Sequence, residues 1–487
     1  MADDHSGATV PDPAPSTTPL RRFMSSNWAA EPLASEAPHP AAAHFAARRE
    51  ALSKQFAGKT IVIPTGSLKS RSNDDDYRFR PNSNFYWLTG GTESDCTLVL
   101  TPTPSGHRAV LYMAPRSDQT TEKYFRDSSY GEMWVGPRRG LVEASAFLGV
   151  PTAAIDGLAS VLGGLNAADT VVLRDVDAGI DQRVAPNAAD AQLATALGML
   201  RLVKDGFEIN MLRRAIGATV KGFEDVVRSL PDAIRRGERY VEGVFNLRAR
   251  TDGNDVGYGT IAAAGVHATT LHWTRNNGPV RNGDLLLLDA GVEDVELYTA
   301  DVTRTIPISG RFTDEQREIY ELVLAAQQAG IAAAVPGARF GDTYDAAAAV
   351  LATGLRRLGI PAVPVPNDVT DAMIVARYMP HGVSHWLGLD VHDCAAARDE
   401  APADVLLTAG HVLTVEPGLY FKPNDLTVPE KYRNIGIRIE DDILITATGN
   451  EVLSSGLPKT VAGIEQWMAA LGTAVPGRSR PSTPGLT

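Results

Sequence analysis

"LLLLDAGVEDVELYTADVTRT" fills positions 285 to 305. Four leucines lead straight into Asp289, and Asp301 follows after a Tyr-Thr-Ala step. The apolar run has the length of a strand, and a carboxylate buried at its end is costly unless something pairs with it. Read as a β-hairpin reversing near "GVEDVE", the stretch brings Asp289 and Asp301 near each other on adjacent strands. Bare like charges repel there, and a cation between them removes the conflict.

Two more acids share this setting. Glu416 interrupts "HVLTVEPGLYF" and Glu440 interrupts "GIRIEDDILIT", each inside an apolar β-type run where an unpaired glutamate is seldom buried. "HGVSHWLGLDVHDC" then places His381, His385 and His392 within twelve residues. The spacing of His381 and His385 would set both on one face of a helix, as in the H-E-x-x-H zinc proteases, but position 382 is Gly, so that pattern lacks its base. Hard oxygen donors with a single imidazole favour Mn²⁺, Mg²⁺ or Fe²⁺ over a thiolate-type zinc site. Four carboxylates formally balance two divalent ions, and two ions roughly 3.5 to 4 Å apart lower the pKa of a bridging water.

Outward from this centre, the 487-residue chain has the length of two domains. Its 46 basic and 58 acidic residues give a net charge of -12, which argues against a nucleic-acid partner. Two cysteines, Cys96 and Cys394, make no disulfide framework and suit a reducing compartment. "MADDHSGATV" does not read as a secretory signal, and no apolar run approaches a membrane span, so a cytoplasmic protein without membrane contact is expected. "GKT" at 58 to 60 fails as a P-loop because Ser53 stands where the first glycine is needed, and "GVSHW" lacks the final glycine of a serine-hydrolase elbow.

Proline, Ala, Ser and Thr dominate the start, so residues 1–45 are expected as a flexible tail, and 469–487 as a second one. Residues 46–198 carry β-type runs at 60 to 64, 84 to 90, 97 to 102, 109 to 113 and 170 to 175, with helical stretches between, which predicts an α/β domain. From 199 to 468 the pattern predicts an α+β domain, helices covering a sheet of mainly hairpin strands. Its first helix starts near Asp205, carries Leu212, Ile216, Val220, Phe223, Val227 and Leu230 on one face, and ends at Pro231. Thr313 with Gln316 forms a capping-box signature for another helix, and a further one spans Asp342 to Gly359.

These residues resemble the pita-bread metallopeptidases, and within them the proline-specific members, aminopeptidase P and prolidase. "DAGVEDVELYTADVTRT", "HGVSHWLGLDVHD", "TVEPGLY" and "GIRIEDD" carry the resemblance, in the family's order, and it covers roughly residues 46 to 465 with a creatinase-like N-terminal domain. The resemblance implies that Asp289, Asp301, His385, Glu416 and Glu440 bind two metal ions, most often manganese, with Asp301 and Glu440 bridging both. It implies attack of a metal-bridging hydroxide on an Xaa-Pro bond, with Glu416 moving the proton and His392 stabilising the oxyanion. His381 and His272 would flank the peptide, and Arg438 would support a ligand carboxylate. Retention of all five ligands favours a peptidase over a catalytically silent relative, and "RPNSNFYWLTG" and "HWLGLDVHD" lie closer to aminopeptidase P than to prolidase. The family also implies a homo-oligomer, dimer or tetramer.

Overall fold

The computed structural model describes residues 19–29, 37–394 and 402–472. Contacts divide the chain between Ala194 and Thr195 into two compact units. Most of the expected 1–45 tail and the end of the 469–487 tail lie outside the described residues.

In the first unit, five strands form a mixed sheet in the order Thr152–Ala154, Gly106–Met113, Thr97–Thr103, Thr60–Pro64, Thr170–Val172. The inner three pair antiparallel, with Val62 opposite Val99 and Val99 opposite Val110, and the two outer strands add in parallel. Four of the five runs expected as strands lie in this sheet. The fifth, "NFYWLTG", does not: Ser83–Thr89 is an α-helix. Asn82 caps it by accepting the N–H groups of Asn84 and Phe85, and Gly90 closes it in the left-handed conformation. Every residue of this helix except Asn84 is buried, so its apolar residues follow no one-sided period, and β-prone aromatics then resemble a strand.

The tail expectation also needs correction at its end. Ala42–Gln55 is a helix, and Phe45 within it is wholly buried, its ring 5.1 Å from that of His39 and 6.3 Å from that of Tyr86. The Pro/Ala-rich composition continues into residues whose few large side chains belong to the core. Phe45→Ala should therefore lower stability by roughly 3–5 kcal/mol, read as a reduced melting temperature; an unchanged melting temperature would fit an unpacked tail instead.

After the end of the helix Asp190–Leu202, the second unit continues with the long helix Gly206–Arg236, capped by Asp205 and Glu208 in a reciprocal box. It does not stop at Pro231. Leu230 and Ala233, on either side of the proline, are both buried, and packing of the apolar stripe outweighs the one backbone hydrogen bond that proline removes. The helix Glu238–Asp252 follows, and later Asp314–Ala333 and Asp342–Arg357, the former opened by the Thr313–Gln316 capping box. The strands form several small antiparallel sheets. Leu285–Ala290 lies between Ile261–Ala264 and Val302–Pro307; Val412–Val415 pairs with Asp441–Ile445; Gly418–Tyr420 pairs with Gly436–Arg438. Among the described residues no helix is long and apolar enough to cross a membrane.

Candidate metal centre

The opening hairpin forms as an antiparallel pair with Asp289 opposite Thr303. Asp301 precedes Thr303 by two positions, so alternation puts Asp289, Thr303 and Asp301 on one face. The arms approach very closely at Gly291, where a Cβ would lie 1.8 Å from the Ala300 carbonyl oxygen; only glycine fits.

Glu416 and Glu440 enter from breaks between the other strands. Neither lies inside a strand as expected. Val412–Val415 breaks off before Glu416 and resumes at Gly418; Gly436–Arg438 breaks before Glu440 and resumes at Asp441. Each break frees a glutamate from the pleat and turns it toward the aspartates. Glu440 is fixed there by its N–H, donated to the Thr303 carbonyl at 3.1 Å, and by the Thr303 hydroxyl, donated to its carboxylate at 2.7 Å.

His385 comes from an irregular segment rather than a helix. The segment runs beside Val412–Val415: the His385 N–H donates to the Thr414 hydroxyl, the Thr414 N–H to the His385 carbonyl, and the Glu416 N–H to the Val383 carbonyl. The ring Nδ1 faces the Trp386 carbonyl at 3.1 Å and must donate, which leaves Nε2 toward the acids, 3.2 Å from Asp301 and 3.4 Å from Glu416. The loop beyond it, carrying His392, is pinned from behind. Buried Asp393 accepts bonds from Arg201 and from Lys204 Nζ, the latter at 2.7 Å, while the His392 ring stands edge-on to His385 at 4.4 Å.

These side chains face one cavity of about 540 Å³. Its walls hold Asp289, Asp301, His385, Glu416 and Glu440, and also His272, His381, His392 and Arg438, so every residue singled out in the sequence reaches it. Tyr258 was missed. Its hydroxyl lies 2.6 Å from Asp289 and 2.5 Å from Asp301, joining the two aspartates, and the only sequence signal is an aromatic between glycines in "VGYGT". Tyr420 was missed too: it accepts from Arg438 at 2.9 Å and contacts His381 Nε2 at 2.9 Å, while Arg438 also binds Asp289.

The donor set is that of a divalent-cation site. Asp301, His385 and Glu440 offer ligand atoms within 4.8 Å of one another. Burial, with repulsion from neighbouring acids, pushes the Glu440 carboxyl well above its usual range and raises Asp301, while Glu416 is pushed up to about 8. His385 is held up to about 9 against the pull of burial, by Asp301 and Glu416. Acids that hold protons so tightly are acids short of positive charge, and a divalent ion supplies it.

The chain belongs to metallopeptidase family M24. The profile of Metallopeptidase family M24 matches residues 210–447, and that of Aminopeptidase P, N-terminal domain, matches residues 45–173. The chain is 51% identical to Xaa-Pro aminopeptidase 1 of Streptomyces coelicolor over 93% of this chain and 92% of that one, and 35% identical to the Xaa-Pro aminopeptidase of Escherichia coli over 88% and 97%. Aminopeptidase P from E. coli with the inhibitor Pro-Leu superposes with a TM-score of 0.78 at 32% identity, over 89% of this chain and 99% of that one. The fold is thus the pita-bread domain preceded by the aminopeptidase P N-terminal domain.

Two measurements follow from the site. In protein stripped of metal by a chelator, the native state binds more protons than the unfolded chain between the ordinary glutamate value of 4.5 and about 8, and for His385 between 6.5 and about 9. Stability of the stripped protein should fall as pH rises through that window, and the gain in melting temperature on adding Mn²⁺ should grow. Tyr258→Phe, which removes the hydroxyl shared by Asp289 and Asp301, should weaken divalent-ion binding about tenfold in a calorimetric titration.

Proposed function

We infer that this chain is a metal-dependent Xaa-Pro aminopeptidase, releasing the N-terminal residue from peptides with proline in second position. The observation that carries the reading is the convergence of five donor side chains and three flanking histidines on one cavity, in a chain half identical to a Xaa-Pro aminopeptidase along nearly its whole length. Asp289, Asp301, His385, Glu416 and Glu440 would hold two divalent ions; manganese suits this oxygen-rich set. The bound ions would polarise the scissile carbonyl and acidify a water.

The remaining work falls to side chains. Glu416 is the proton carrier: its carboxyl faces the cavity from the strand break beside Pro417, 3.4 Å from His385 Nε2, placed to take a proton from water and return it to the departing prolyl nitrogen. That transfer matters here because the Xaa-Pro amide nitrogen has no hydrogen of its own. His392, exposed at the mouth beside His385, is placed to donate to the oxygen that gains charge. Burial and nearby Arg438 lower His381 to about 4, so at neutral pH it is an uncharged partner for the peptide, and His272 lines the same cavity. Arg438 orients Asp289 while tying it to Tyr420 and Thr303. A cytoplasmic location and assembly into a homo-oligomer belong to the same reading, as does the division into a creatinase-like domain over 46–198 and a catalytic domain over 199–468.

Manganese-loaded protein should release the first residue from an Xaa-Pro-Xaa tripeptide, and Glu416→Gln should lower kcat about a thousandfold. Cleavage of Gly-Pro alone would make the chain a prolidase. Metal-dependent release from neither peptide would overturn the peptidase reading.

A further inference from the structure

One part of the cavity lining comes from residues 261–278, which supply Ile261, beside Asp289 in the sheet, and Leu271, His272 and Thr274. Only part of this stretch is regular: the strand Ile261–Ala264, then a 3₁₀ turn over Gly265–Thr269. Most of the bonds that tie its two ends and its middle together converge on a carboxylate from outside it. Glu238, the first residue of the helix Glu238–Asp252, is wholly buried. Its Oε1 accepts the Ala264 N–H at 2.8 Å and faces His267 Nδ1 at 2.8 Å; its Oε2 accepts the Trp273 indole N–H at 2.9 Å and the Gly278 N–H at 2.6 Å. The Glu238 N–H in turn donates to the Gly278 carbonyl at 3.0 Å. The rings of His267 and Trp273 stack at 3.9 Å, closing the loop on itself.

We propose that Glu238 is the positioning residue for His272: it holds both ends and the middle of the loop so that the side chain next to Trp273 meets the peptide at a fixed place. The inference rests on the aminopeptidase reading of the cavity. Two features set Glu238 apart from an ordinary buried polar group. First, each carboxylate oxygen accepts from two groups on the loop, so four contacts spanning Ala264 to Gly278 converge on one side chain, and an amide in its place would turn an NH₂ group toward two donors. Second, the fit leaves no slack: a Cβ on Gly278 would lie 2.2 Å from the His267 ring and 2.8 Å from Glu238 Oε2. Other bonds touch the loop more locally: buried Asn276 joins the Thr260 carbonyl and the Ala262 N–H, Lys422 Nζ donates to the Thr270 hydroxyl at 3.0 Å, and the Arg438 guanidinium reaches the Leu271 carbonyl at 3.5 Å.

The test is a double-mutant cycle on the manganese-loaded full chain with an Xaa-Pro-Xaa tripeptide, using Glu238→Gln, His272→Ala and the pair, with metal content and melting temperature measured for each. Wild-type turnover in the same assay establishes the aminopeptidase reading independently of the variants. Glu238→Gln should raise KM about tenfold with full metal content and a smaller change in kcat, and should cost almost nothing further once His272 is alanine. Trp273→Phe, which removes one of the four contacts without changing the charge, should shift KM in the same direction by a few fold. Additive effects of Glu238→Gln and His272→Ala, or a loss confined to melting temperature with KM unchanged, would overturn the proposal. If Glu238→Gln does not fold, Trp273→Phe in the same cycle with His272→Ala decides by the same criterion.

Discussion

Four carboxylates crowded into one buried cavity is the constraint that organises the second unit. Repulsion among Asp289, Asp301, Glu416 and Glu440 opposes folding, and nearly every irregularity nearby answers it. Strands break beside both glutamates, so that each leaves the pleat. Tyr258 places one hydroxyl between the two aspartates, and Arg438 brings a permanent positive charge to Asp289. These groups orient the acids but do not neutralise them, which leaves the balance to a cation.

Directly behind the cavity, neighbouring acids meet the opposite fate. Glu440 faces the cavity and is pushed up; Asp441, the next residue, points the other way and is drawn down to about 2 by Arg304 and Lys459. His392 and Asp393 repeat the pattern, the histidine toward the cavity and the aspartate locked between Arg201 and Lys204. Alternating direction along an extended chain thus separates reactive groups from structural ion pairs at one-residue resolution. Asp442 is the exception: one oxygen accepts the Asp301 N–H, and the other is buried with no partner among the described residues.

That these acids and histidines gather in one cavity was legible because a carboxylate inside an apolar run violates a strong rule, and four violations with three histidines share one remedy. The hairpin could be read because its apolar run fixes the register of Asp289. The helix Ser83–Thr89 was not legible, since burial on all sides erases the period that separates helix from strand. Pro231 misled because the local penalty is visible in sequence while the packing of Leu230 and Ala233 is not. Tyr258 and Glu238 were beyond sequence reasoning for a related reason: each acts through partners 26 to 43 positions away, and neither interrupts an apolar run. Phe45 was lost in composition, one core residue among alanines.

The span of the contacts that hold the centre also bears on how the chain reaches its native state. Arg438 meets Asp289 across 149 residues, Thr303 meets Glu440 across 137, and Asp301 meets Asp442 across 141. Pairings so distant in sequence close late, because loop entropy must be overcome before they contribute. Residues so far apart in sequence would hold an ion together only once the last strands have docked. Unlike the metal of a zinc finger, such an ion would act as a latch, slowing escape from a topology that apolar packing has already assembled.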